Sequence, residues 1–172
     1  ESIREDPLQT AAVARTGTGK VAARGEMANT EFERRSLLSL LAAGKIAPVD
    51  AAALGYLSEE TLGRAGLTRE GALDTWYDGL PTVDGVYETT RGRVAIIRLP
   101  LLRSELYNDK DELVGSIVDA LEISRQIGAR AVSLTGLLPS ATDYGQAVTR
   151  AIAARSDLPV VTTGHATTVS AV

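Results

Sequence analysis

Two short apolar runs, "AVSLT" at 131–135 and "PVVTT" at 159–163, flank "DYGQAVTRAIAARS" (143–156), whose apolar residues recur with a helical period. A third run, "RVAIIRL" (93–99), comes earlier, and the segment between it and 131 is the strongest helix pattern in the chain. Over 109–127 it sets Leu113, Val114, Ile117, Val118, Leu121 and Ser124 along one face, with Gly128 after its end. "HATTVSAV" (165–172) is expected to open one more helix. Strands joined through helices of this length pair in parallel through right-handed crossovers. The alternation β-α-β-α-β-α therefore demands an α/β sheet covered by helices.

Upstream, "GVYETTRGRVAIIRLP" (85–100) is strand-like on both sides of Arg91-Gly92, which predicts an antiparallel hairpin. Its second strand has a continuous apolar centre, as a strand covered on both faces requires. Before the hairpin the period changes. Thr30 and Glu33 have capping-box spacing, Leu37, Leu38, Leu40 and Leu41 form an apolar stripe, and Gly44 is placed to end that helix. In "APVDAAALGYL" (47–57), Pro48 at a first helical position followed by alanines predicts another helix. Ser58 and Thr68 are expected to cap "EETLGRAG" and "REGALDTWYDG", with Trp76 and Tyr77 packing this helical segment.

The expected fold is α/β: a helical N-terminal segment (30–80) packed on a small, mostly parallel sheet with an antiparallel edge strand (81–172). Residues 1–29 show no clean period and read as a linker or loosely ordered arm. The first residue is glutamate, so the chain is expected to be a piece of something longer that continues past Val172.

Composition narrows the function classes. Eighteen basic against 22 acidic residues give a net charge of −4, which weighs against a nucleic-acid partner, since that needs a basic field. The chain has no cysteine, which removes disulfides, thiolate metal sites and a cysteine nucleophile. One histidine and no clustered carboxylate pair make a poor metal site. No run of about 18 apolar residues is present, so no membrane span is expected. The first residues lack a signal peptide's apolar core, so the cytoplasm is the expected compartment. "TGTGK" (16–20) fails the P-loop spacing, and a valine follows its lysine.

In an open parallel sheet, ligands bind beyond the carboxyl ends of the strands. Here these ends are "RLP" (98–100), "TGLLPS" (135–140) and "TTGHATT" (162–168). Glycine admits a close backbone approach, and the hydroxyls donate or accept hydrogen bonds. The candidate binding residues are Thr135, Gly136, Ser140, Thr162, Thr163, Gly164, Thr167 and Arg98. His165, on the first turn of the last expected helix, is the candidate catalytic group. A helix N-terminus favours its neutral form, which hydrogen-bonds a carbonyl or exchanges a proton. Arg103, Asp143 and Tyr144 flank the same ends, with Asp143 the expected first-turn acid of its helix. The alternative is equally concrete: the threonines and serine are helix caps, Gly164 makes a turn, and the arginines are solvated or ion-paired.

"VSLTGLLPSATDYG" (132–145) followed by "VVTTGHATTVSAV" (160–172) resembles the N-terminal, substrate-side half of long-chain acyl-[acyl-carrier-protein] reductases. A weaker likeness extends through 93–127. The resemblance implies that Thr135, Gly136, Ser140, Thr163, Gly164 and His165 line an acyl or thioester pocket. Such reductases carry the acyl group on a cysteine and hold NADPH on a G-x-G-x-x-G strand–helix unit, and this chain has neither. No cofactor is then bound by this chain, and NADPH belongs on a domain outside it. "EFERRSLLSLLAAGKIAPVDAAAL" (31–54) resembles the linker helices of modular polyketide synthases, in particular acyltransferase-less, leinamycin-type ones. The two resemblances imply an acyl carrier protein or neighbouring synthase domains as partners. They imply binding of a carrier-tethered acyl or polyketide thioester. The rival expectations are a non-catalytic structural or docking domain of a megasynthase, and an enzyme completed by another chain.

Overall fold

"AAALGYL" is a strand. In the computed structural model, which describes residues 38–45 and 47–164, β1 (Ala51–Leu57) lies in the middle of a five-stranded sheet. The expected helix from Pro48 is thereby corrected. Alanine's helical preference amounts to only about 0.5 kcal/mol per residue against ordinary residues. Hydrogen bonding on both edges and burial of alternate side chains outweigh it. Ala52 and Leu54 are fully buried, whereas Ala51, Ala53 and Gly55, which alternate with them, are only partly covered.

The other strands are β2 (Thr82–Thr89), β3 (Gly92–Leu102), β4 (Ala131–Leu134) and β5 (Val160–Thr162), in the spatial order β2-β3-β1-β4-β5. β1 pairs in parallel with β3 and β4, and β4 in parallel with β5. β2 and β3 form the antiparallel hairpin around Arg91-Gly92, so the α/β sheet is mostly parallel with one antiparallel edge strand. β3 runs past Arg98 to Leu102. Pro100 is tolerated there because β2 begins at Thr82, opposite Arg98, and does not reach it, and the β1 register skips from Leu99 to Leu102.

Register places Ala52 beside Ala95 and Val132, and Leu54 beside Ile97 and Leu134. These residues share a core with Leu113, Ile117, Ala120 and Leu121 of α3 (Lys110–Gln126), the long helix that packs on β1 and β3. Asp109 caps α3, accepting from the amides of Asp111 and Glu112 at 2.9 and 3.0 Å. A second cluster, Leu57, Leu62, Ala72, Tyr77 and Leu102, joins the ends of β1 and β3 to α1 (Glu59–Ala65), α2 (Arg69–Ala72) and a π-helical turn at Leu73–Tyr77. Ser58 and Thr68 cap α1 and α2 as expected, and Trp76 packs against this cluster.

The helix expected over 143–156 is shorter. α4 (Leu138–Ala141) ends at Thr142, whose hydroxyl donates to the Leu138 carbonyl at 2.7 Å and accepts from the Gly145 amide at 3.2 Å. Asp143, Tyr144 and Gly145 then turn left-handed, with φ of 52°, 55° and 85°, before α5 (Gln146–Ala151) begins. At the other end of the described chain, residues 38–42 are helical, with Leu38 and Leu41 against the main core. Gly44 ends that helix: its amide donates to Leu41 and the Lys45 amide to Leu40, both at 2.9 Å. The expectations for residues 1–29, Thr30, Glu33, Leu37 and 165–172 lie outside the described residues. Among those described, no helix is long and apolar enough to cross a membrane.

Leu54 has zero exposure at the junction of three strands and α3. Leu54→Ala should therefore lower unfolding free energy by about 2–5 kcal/mol in urea titration. A second expectation concerns acid. Glu122 of α3 accepts from Arg125 and Arg155, and Arg155 also holds Asp157, which ties α3 to the segment after α5. The hydrogen bond from Arg125 holds the Glu122 carboxyl down at about 2, and that from Arg155 holds Asp157 at about 2. Both are depressed, so their stabilisation is complete above the unfolded values near about 4 and is lost as pH falls towards 2. The urea midpoint should fall over that range at low salt, and Arg155→Ala should flatten the fall.

Candidate functional site at the carboxyl edge of the sheet

β3, β1, β4 and β5 run the same way, so their carboxyl ends share one edge. The chain leaves β1 towards β3 on one side and leaves β4 towards β5 on the other. β1/β4 is therefore the topological switch point, where loops diverge and leave a crevice in open α/β sheets.

Two short segments meet there. From β4, the Thr135 amide and hydroxyl both donate to the Leu54 carbonyl, at 3.2 and 2.5 Å. Gly136 follows with φ of 60°, and a Cβ at this position would lie 2.8 Å from the Tyr56 hydroxyl. The Leu137 amide donates to that same oxygen at 3.4 Å. Only glycine meets both demands, a left-handed backbone and a ring against its Cα. Tyr56, half-buried at the end of β1, is the member that sequence reading missed. Assigned to a helix, it had no reason to stand at a strand end. The burial of Ala52, Leu54 and Leu57 places it there, and three consecutive alanines hide that alternation in the sequence.

Ser140, on α4, donates to the Leu137 carbonyl at 2.9 Å and shares a 2.6 Å hydrogen bond with the Tyr107 hydroxyl. Tyr107 is 61% exposed and was likewise not anticipated. Asp143 is not the first-turn acid of a helix: it lies in the left-handed turn, and its carboxylate takes Lys110 at 3.0 Å and Arg150 at 3.6 Å. Tyr144 beside it is 62% exposed. The end of β5 comes close to this turn, since a Cβ on Gly145 would meet Thr163 Cγ2 at 3.1 Å. The Thr162 hydroxyl accepts from the Gly164 amide at 3.3 Å. Thr135, Gly136 and Ser140 are thus gathered with Tyr56 and Tyr107, while Thr163 lies against Gly145 of the turn. His165 and Thr167 lie outside the described residues.

Arg98 is elsewhere. It sits inside β3, opposite Thr82 and four residues before the strand ends, and donates to Asp84 of β2 at 2.6 Å. Arg103 opens a 3-10 turn (Arg103–Glu105) after β3. Beside it, the Ser104 hydroxyl donates to Glu59 at 2.7 Å and holds that carboxyl below its usual range. Near Arg98, burial pushes the Tyr77 hydroxyl well above its ordinary value, with the guanidinium opposing. Farther along the same edge, a cleft of about 350 Å³ opens at Pro100 and Leu101, between α3 and the α2 segment. Among the described residues, no group of three or more His, Asp or Glu side chains is placed to hold a metal ion.

Fold and edge together define the class: an open, mostly parallel α/β sheet whose polar loops converge at a switch point. No family model matches the chain, and no curated protein or solved structure matches it either.

Gly136→Ala should cost about 1–3 kcal/mol, from left-handed strain plus the displaced Tyr56 ring. Tyr56→Phe removes the nearest atom and should return part of that loss. A double-mutant cycle in urea should therefore show the two substitutions to be non-additive.

Proposed function

We propose that this domain binds a carrier-protein-tethered acyl or polyketide thioester at the carboxyl edge of its sheet, within a polyketide or fatty-acyl pathway of the cytoplasm. The observation that supports the reading is the β1/β4 switch point, where Gly136 is pressed against Tyr56, Thr135 bonds the Leu54 carbonyl and Ser140 bonds the Leu137 carbonyl. A thioester carbonyl is a weak acceptor, and a pantetheine arm presents two amides. Both suit an edge built of amide N–H groups, glycine and hydroxyls. In this reading Ser140 and Tyr107 meet the arm, the segment 162–167 meets the carbonyl, and His165 orients it or moves a proton. The partner is an acyl carrier protein or a neighbouring synthase domain. Reduction, where it follows, takes place with NADPH on a domain outside this chain.

A second reading, a structural or docking domain, is favoured by two observations. The Thr135 hydroxyl is already engaged by Leu54, and Val160 on edge strand β5 is 71% exposed. An open edge strand with an exposed valine is a natural contact for another domain.

Titration of the domain with an acyl-pantetheine thioester, followed by NMR, separates the two. Thioester binding predicts shifts clustered at 135–140 and 162–168, weakened in His165→Ala. An unperturbed spectrum of the folded domain at millimolar ligand would overturn it and leave the docking reading.

A further inference from the structure

The two faces of the sheet are unequally covered. Ala52, Leu54, Ala95, Ile97, Val132 and Leu134 share the main core with α3. Side chains alternate along a strand, so the residues between them face the other way. Register sets these in rows across the sheet. Tyr87, Val94, Ala51, Ala131 and Val160 form one row, and Ile96, Ala53, Ser133 and Thr162 the next. None of them is fully buried, and Val160 is 71% exposed. Among the described residues, Val94 and Ile96 belong to neither hydrophobic cluster. Parallel strands are ordinarily covered on both faces, so this second face calls for a partner.

Its relief defines the kind of partner. Down the middle, β1 and β4 present only small side chains, at Ala51, Ala53, Ala131 and Ser133. Larger ones stand on either side, Val94 and Ile96 on β3 and Val160 on β5. The strands β3 and β5 lie about 14 Å apart, three strand spacings, and a trough of that width takes one helix of about 10 Å diameter.

We infer that this trough is the docking site of the chain's own segment "HATTVSAV", residues 165–172. Position is the first argument. The segment follows Gly164 just past the carboxyl end of β5, the strand next to β4. Length is the second: its eight residues extend about 12 Å as a helix, against about 13 Å for the four residues of β4. Composition is the third. The segment has no Lys, Arg, Asp or Glu, and Ala166, Val169 and Val172 recur at intervals of three, along one side of such a helix. Residues 1–37 instead carry six basic and six acidic side chains. The cations of that segment would find little on this face, where Asp84 already takes Arg98 at 2.6 Å. A second copy is a poor fit as well. The two rows cover roughly 19 by 13 Å, far less than the about 800 Å² per partner of a stable interface.

A helix so docked starts at the carboxyl edge, which brings its first residue, His165, over the β1/β4 switch point. The inference does not rest on the thioester reading, because the face calls for a cover whatever the edge binds.

The test is a methyl NOESY spectrum of the full chain labelled at alanine, isoleucine and valine. Cross-peaks are expected from the Val169 and Val172 methyls to those of Ala53, Ile96 and Ala131. Ala53→Lys sets an ammonium under the segment, so its cross-peaks to Ile96 and Ala131 should vanish while the Ile117 methyls keep their shifts. If that variant fails to fold, the wild-type cross-peaks carry the test. A folded wild type in which 165–172 makes no contact with the face overturns the inference. So do cross-peaks that persist in Ala53→Lys, and cross-peaks to the face from residues 1–37 or from a second molecule in a mixed-label sample.

Discussion

The interaction on which the rest of the structure depends is the pairing of β1 with two neighbours at once. Among the described residues, β1 is the only strand that pairs with both β3 and β4, so it joins the hairpin half of the sheet to the half that carries β5. Its start is fixed from both sides. The Asp50 amide donates to the Arg93 carbonyl, its carbonyl accepts from the Arg130 amide, and its carboxylate accepts from the Arg93 amide at 2.9 Å. Its end supplies Tyr56 to the switch point and Leu57 to the second hydrophobic cluster. The sheet's register, the main core and the candidate site therefore all depend on one seven-residue segment rich in alanine.

That dependence explains which parts of the fold were legible in the sequence. The hairpin at Arg91-Gly92, the helix after Asp109, and the strands at 131 and 160 each carry a local signal: alternation, a helical period or a cap. Local physics and the tertiary fold agree at those places. β1 was not legible because its signals conflict. A proline followed by alanines favours a helix locally, and the strand wins only through contacts with residues some 40 and 80 positions away. The turn at 143–145 failed for a related reason. "DYGQAV" reads as a helix start, but the buried Thr142 hydroxyl holds the Gly145 amide and turns the chain first.

The candidate site divides along the same line. Thr135, Gly136 and Ser140 were legible because a strand followed by glycine and hydroxyls marks a carboxyl edge in any parallel sheet. Arg98 was misplaced by a strand end set too early, since β3 passes through Pro100 where most strands would stop. Tyr56 and Tyr107 were invisible because each becomes a site residue only through a partner distant in sequence, Leu137 for one and Ser140 for the other.

The hydrogen bonds at the edge also constrain what kind of chemistry it can perform. The Thr135 hydroxyl is committed to the Leu54 carbonyl, and the Ser140 and Tyr107 hydroxyls bond each other. The hydrogen bonds of these hydroxyls thus go to backbone carbonyls and to each other. What the edge offers instead is fixed dipoles and shape, held by a glycine that cannot be enlarged and by a left-handed turn braced by Lys110 and Arg150 on Asp143. Under the proposed thioester reading, the contacts that build this part of the edge would also hold the ligand.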